Sequence, residues 1–92
     1  LKTGALNEYA DLQVNLSSYH LEDGSPERSL KNLIKLEKFA VDNGSQYYEA
    51  KALLEQSLVS KTIGDLLNAN KTFKKGKSIA KAIGAKDLLL IK

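Results

Sequence analysis

Read at the α-helical step of about 100° per residue, the apolar positions of this chain gather into stripes. The longest run without a strong breaker is Gln46 to Ala69. Tyr47, Ala50, Leu54 and Leu58 fall on one side of it, with Leu53 at the edge. Ala52, Val59, Ile63, Leu66 and Leu67 fall on another side, rotated by roughly 150°. Two arrangements produce this pattern. One long helix is buried first on one face and then on the opposite one, or the helix breaks near Ser60-Lys61-Thr62 and Thr62 caps a second helix, with Asp65 three residues on. The predicted spans are 46–59 and 62–70. In either arrangement this stretch touches every other apolar segment, so the rest of the chain packs around it.

Residues 2–20 read as a helix. Leu1, Ala5, Tyr9, Leu12, Leu16 and Tyr19 form a band of roughly 80° with the alternating spacing of a seam between nearly parallel or antiparallel helices. Leu6, Ala10 and Val14 widen the strip. After a turn at His20–Gly24 comes the sharpest boundary in the chain: Ser25 as N-cap, Pro26 at the first helical position and Glu27 in the first turn. This second helix, 26–42, carries an apolar arc of roughly 220° from Leu30 to Val41, which predicts packing on two sides. Gly44 supplies a left-handed cap. Asn70 and Lys71 read as a link and Thr72 as the cap of a helix over 73–84. Its Phe73, Gly76, Ile79, Ala80 and Ile83 share a face, and Gly76 there implies a close helix approach. Leu88–Ile91 forms a short apolar C-terminal tail, either a last turn laid on the bundle or a docking handle.

The expected fold is therefore all-α, a compact bundle of four to five helices (2–20, 26–42, 46–59, 62–70, 73–84) in one domain spanning 1–92. At 92 residues, 42% apolar and 27% charged, the chain is long enough for one modest core. It begins at Leu1 and contains no Met, which suggests a piece excised from a longer protein. Without cysteine there are no disulfides, thiolate metal sites or cysteine nucleophiles. No apolar run reaches the roughly 20 residues that span a bilayer, and no signal peptide is visible, which favours an intracellular location.

The net charge of +3 hides a division. Residues 1–60 sum to −3 and residues 61–92 to +6. A skew of this kind suggests an acidic partner for the C-terminal third, through Lys71, Lys74, Lys75, Lys77, Lys81 and Lys86 as phosphate contacts. The competing expectation is that folding sets the two halves side by side and offsets them. That third has no arginine and its one aromatic, Phe73, lies on the apolar face, so base-specific readout is not expected. Residues 72–91 also read as a cationic amphipathic segment able to lie on an anionic membrane.

Tyr47, Ala50, Leu54 and Leu58 resemble the second helix of a tetratricopeptide repeat, and Gly64, Leu67, Phe73, Gly76, Ala80 and Ile83 resemble one such repeat. The two matches place Ala50 and Gly76 at equivalent positions 26 residues apart, against a period of about 34, so no repeat array is expected. Ser78–Ala85 resembles the first helix and turn of a helix-turn-helix, which implies DNA reading by the segment that follows, but that segment is apolar.

Candidate chemistry is sparse. His20 stands alone beside Glu22 and Asp23, too close in sequence to complete a metal site. Glu8 and Asp11 read as a solvated face, and Glu37 as an arc-edge residue that reaches water or a lysine. Gly76-Lys77-Ser78 has the last letters of a phosphate-binding loop without its upstream glycine or strand. No catalytic residue, metal or cofactor is predicted. The expected function is a non-enzymatic helical module that binds a protein partner or another copy of itself. Tyr48, Leu88, Leu89, Leu90 and Ile91 are its candidate contacts. The alternative is binding to nucleic acid, another polyanion or an anionic membrane through the lysines.

Overall fold

Helix follows helix with turns of two or three residues: α1 (Thr3–Glu22), α2 (Pro26–Asp42), α3 (Gln46–Thr62), α4 (Leu66–Ile83) and α5 (Lys86–Leu89). A computed structural model of the chain describes residues 3–91, and every regular element among them is helical. The fold is an all-α bundle, as the stripes predict.

The turns share one construction. Gly24, Gly44, Gly64 and Gly84 all have φ between +69° and +82°, a region that costs an L side chain about 1–2 kcal/mol. The next residue's N–H reaches back to the carbonyl five positions earlier: Ser25 to His20, Ser45 to Ala40, Asp65 to Ser60 and Ala85 to Ala80, at 2.7–2.9 Å. Each glycine N–H bonds the carbonyl three positions earlier, which closes the paired-bond helix stop. Two of the following residues then cap the next helix, Ser45 accepting from the Tyr48 N–H and Asp65 from that of Asn68. Ser25 holds the N-cap position without a side-chain bond, and Pro26 starts α2.

This construction corrects two boundaries. The expected helices 62–70 and 73–84 are replaced by a single α4, and the break lies at residues 63–65, after an α3 that continues to Thr62. Thr62 and Thr72 are not caps. Their hydroxyls donate back to the carbonyls of Leu58 (3.1 Å) and Asn68 (2.9 Å), four residues earlier. A threonine satisfied in this way sits inside a helix, and sequence alone does not separate it from one that caps.

The turn glycines lie 20 residues apart, so helix hairpins recur every 40. The α1–α2 and α3–α4 hairpins bury the same register positions: Ala10 and Ala50, Ser17 and Ser57, Ser29 and Ala69, Leu36 and Gly76, Ala40 and Ala80. This 40-residue spacing is not the period of about 34 residues of the array weighed in the sequence, and it sets Ala50 opposite Ala10 and Gly76 opposite Leu36 rather than opposite each other. The contacts follow from this order. α3 touches every other helix; α1 and α5 both touch it, while α2 and α4 do not touch each other. By these contacts the helices fall into two layers, α1, α3 and α5 (here called inner) and α2 and α4 (outer).

The two apolar faces of α3 serve two neighbours at once. Ala50 and Leu54 pack with Ala80 and Leu88, while Ala52 packs with Ala10 and Leu36. Small buried residues let the helices approach closely. A Cβ on Gly76 would lie 2.8 Å from Leu54 Cγ. The buried hydroxyls and amides between the layers are paired: Ser17 with Ser29 (2.6 Å), Asn32 donating to Gln13 (2.8 Å), Ser57 donating to the Ala69 carbonyl (2.9 Å). The radius of gyration, 12.4 Å, matches the roughly 12 Å of a folded chain this long.

The seam expected on α1 is rotated. Ala10, Gln13 and Ser17 are buried, whereas Ala5, Leu12 and Tyr19 are exposed. Polar Gln13 and Ser17 enter the interface because Asn32 and Ser29 of α2 receive them. Leu1 lies outside the described residues.

Candidate functional site

The positions left to solvent on each helix recur at the same register as the core. On α1 these are Glu8, Asp11, Asn15, Ser18 and Glu22, all exposed; on α3 the matching positions are Tyr48, Lys51 and Glu55, half-buried, and Leu58 and Thr62, exposed. Spacings of three and four residues align each set into one stripe. Together they form the face of the inner layer. Its four carboxylates (Glu8, Asp11, Glu22, Glu55) against Lys51 give it a net charge of −3.

Tyr48 is half-buried against Ala10, Leu36 and Ala52, and its ring stands edge-on to that of Tyr47 at 5.2 Å. Burial pushes the Tyr48 phenol up, and the charge of Asp11 adds to the shift, so α1 and α3 share an electrostatic environment here. Burial also pushes the Glu55 carboxyl up, opposed by Lys51. Tyr47 donates a 2.5 Å hydrogen bond to Asp87 of α5, which raises the phenol to about 12 and holds the Asp87 carboxyl below its usual range.

That bond fixes the placement of the tail. Leu88, at 2% exposure, belongs to the core beside Ala50, Leu54 and Ala80, and is therefore not the surface contact predicted for it. Leu89 and Ile91 pack partly against the same cluster, and only Leu90, at 79%, faces solvent. The tail is thus a short last helix laid on α3 and α4. Lys77 Nζ donates to the Leu89 carbonyl and secures it.

The six lysines predicted to act together are divided by the fold. Lys77 is occupied by Leu89 and by the Phe73 ring, 5.3 Å from its Nζ. Lys74, Lys77 and Lys81 line an open groove of about 480 Å³ with Phe73 and Ser78. Lys71 and Lys75 line a smaller cleft of about 240 Å³, in which Asn68 and Thr72 of α4 face Glu37 of α2 and Gln56 of α3. Lys86 is exposed on α5, in the inner layer. The apolar side of residues 72–91 packs on the core, Ala80 within it and Phe73 and Ile79 partly against it, while Leu90 stays exposed.

The outermost stripes show what the linear reading missed. On α2 they comprise Glu27, Lys31, Ile34, Lys38 and Val41; on α4, Leu67, Lys71, Lys74, Ser78 and Lys81. All ten are exposed, the two sets match position by position at 40-residue spacing, and their net charge is +4. The available signal was Lys31/Lys71 and Lys35/Lys75, identical residues one hairpin apart.

The remaining candidates are structural. Glu37 accepts from Gln56 Nε2 (2.8 Å) rather than pairing with a lysine. His20 is half-buried and stands edge-on to Tyr19 at 5.6 Å. Gly76-Lys77-Ser78 lies mid-helix, and the helix that follows Ala85 is the four-residue α5, with Leu88 in the core. No group of three or more His, Cys, Asp or Glu among them could hold a metal ion, and no helix is long and apolar enough to cross a membrane. Comparison with known proteins finds no matching family model, no matching curated protein and no matching solved structure.

Proposed function

We propose that this chain is a non-enzymatic protein-interaction module whose contact surface is the inner face of α1 and α3. One observation carries the reading: the same five register positions of successive hairpins (8, 11, 15, 18, 22 and 48, 51, 55, 58, 62) form one stripe on each helix, fully exposed on α1 and half-buried to exposed on α3. Stacked helix hairpins form extended concave surfaces, and such surfaces accommodate a peptide or a helix along their length. Tyr48 and Leu58 give this one an aromatic and an aliphatic contact, and the net negative charge selects a partner segment bearing Lys or Arg beside apolar residues. Leu90 stands exposed just after α5.

The test is amide chemical-shift mapping with otherwise matched peptides rich in Lys/Leu and in Glu/Leu. Saturable shifts along the ten inner positions with the basic peptide, lost in a Glu8→Lys, Asp11→Lys, Glu22→Lys variant, support the reading. Equal response to both peptides, or shifts confined to other faces, removes it. Sedimentation over a range of concentrations separates the case in which the partner is a second copy.

A further inference from the structure

The outer layer has a chemistry of its own, on the opposite side of the array from the inner face. Its stripes place Lys31 and Lys38 on α2, and Lys71, Lys74 and Lys81 on α4, all exposed. Arg28, Lys35 and Lys75 flank them, also exposed. A purely solvated cationic face would carry polar residues between its charges. This one carries Ile34 and Val41, each 54% exposed, and Leu67, 84% exposed, within the same stripes. The stripe from Leu67 to Lys81 runs about 21 Å along α4, and its counterpart runs from Glu27 to Val41 on α2, so charges and aliphatics are spread over a surface rather than confined to one end.

We infer that the outer layer, α2 and α4 together, is a docking surface for an anionic lipid bilayer. The interleaving selects this occupant. A nucleic-acid backbone satisfies lysines but gives Ile34, Val41 and Leu67 nothing to bury against. A bilayer takes both, since lipid phosphates and carboxylates meet the ammonium groups while the aliphatic side chains enter the boundary between headgroups and acyl chains. Lysine suits this placement because its aliphatic stem lies along apolar surface with the charge at the tip. The footprint is not the C-terminal third of the chain. It omits Lys77, held by the Leu89 carbonyl, and Lys86 in the inner layer, and it includes the cations of α2. The folded module docks intact, because the apolar sides of α2 and α4 stay in the core.

Co-sedimentation of the folded chain with vesicles tests this. The vesicles are phosphatidylcholine alone, and phosphatidylcholine with about a third phosphatidylserine, at roughly 50 and 300 mM KCl, which brackets weak and strong screening. The expected result is binding to the anionic vesicles only, falling with salt. Each Lys→Gln change at Lys31, Lys38, Lys71 or Lys74 should weaken it by about fivefold. Ile34→Ser with Leu67→Ser should weaken it by about tenfold with the charge unchanged. These positions are exposed, and an unchanged circular dichroism spectrum verifies that each variant is folded. Three results would overturn the inference: no binding to anionic vesicles at low salt, loss confined to the α4 lysines, or indifference to Ile34→Ser/Leu67→Ser accompanied by equal binding of a DNA duplex. The last assigns the face to polyanions at large. None of them bears on the inner face, which none of these substitutions touches.

Discussion

Gly76 is where the packing of the hairpins can be measured most directly. In an exposed helix interior, Gly→Ala stabilises by about 1 kcal/mol, because alanine gives up less backbone freedom on folding. At Gly76 the added methyl would lie 2.8 Å from Leu54 Cγ, 3.0 Å from Leu54 Cδ2 and 3.2 Å from the Ala50 carbonyl oxygen. Leu54 is fully buried, Cγ is the branch point of its side chain, and the third atom is backbone, so α3 and α4 must separate to admit the methyl. Overpacking of this kind costs about 1–3 kcal/mol, and the propensity gain offsets only part of the upper range. The expected net loss is up to about 2 kcal/mol, or a fall in Tm of up to roughly 15 °C in a domain this size. Thermal and urea unfolding followed by far-ultraviolet circular dichroism reads it. Leu54→Ala alone should cost about 2–5 kcal/mol. In the double variant the cavity left by Leu54 accepts the methyl added at position 76, so the combined loss should fall short of the sum by about 1–2 kcal/mol. Gly64→Ala supplies the control: its Cβ meets nothing within 4 Å, its penalty comes from φ of +82° alone, and it should not couple to Leu54. A Gly76→Ala variant more stable than the parent, or strict additivity with Leu54→Ala, would refute the close approach.

Ser17→Ala and Ser29→Ala should each cost about 1–3 kcal/mol by orphaning the other buried hydroxyl, whereas the double variant should cost less than the sum of the two; chemical denaturation of the four proteins decides it. Asp65→Ala should remove about 1 kcal/mol by uncapping α4, with hydrogen exchange rising first at Asn68. The Tyr47 phenol, raised from 10 to about 12 in the folded chain, contributes stability that is complete below pH 10 and is lost as pH climbs toward 12. Asp87, held low by the same bond, contributes stability above the normal carboxylate range that is lost on acidification through its lowered value; phenolate absorbance, and its change in Tyr47→Phe, reads the pair. Glu55, raised by burial, is best accommodated when protonated and opposes folding as pH rises through its shifted value, so Glu55→Gln should raise Tm at neutral pH and leave it unchanged at acidic pH.

Much of this architecture was legible because single residues carried it. Ser25-Pro26 and Gly44 set the limits of α2, the roughly 220° apolar arc announced its two neighbours, and Gly76 announced the tight crossing. The two apolar faces of Gln46–Ala69 were visible too, but they admitted both a break and a helix packed on two sides. Both descriptions hold, at different places: α3 packs two ways, and the break comes at Ile63–Asp65. What stayed hidden depended on partners. Nothing in Gln13 or Ser17 marks them as buried until Asn32 and Ser29 stand opposite, and nothing in Leu88 separates a docking handle from a core residue until Tyr47 anchors Asp87. The repeat escaped because its identities are small residues, Ala10/Ala50 and Ser17/Ser57, whose importance comes from the space they leave.

The charge division shows why linear bookkeeping misleads in a hairpin array. Splitting the chain at residue 60 gives −3 and +6 and points to the C-terminal third. Along the fold the alternation is helix by helix: α1 carries −3, α2 +1, α3 zero and α4 +5. Because α1 and α3 share a layer, as α2 and α4 do, the negative helix faces inward and the positive ones outward. Two faces of opposite sign steer ligands of opposite charge to opposite sides. A contact between copies of the chain, inner face to outer, would be head-to-tail and drawn by this charge. That attraction reaches about 10 Å at 0.1 M salt and fades above it, whereas an association built on the exposed Leu12 and Tyr19 of α1 would persist. The salt dependence of self-association therefore distinguishes a contact between layers from one along α1.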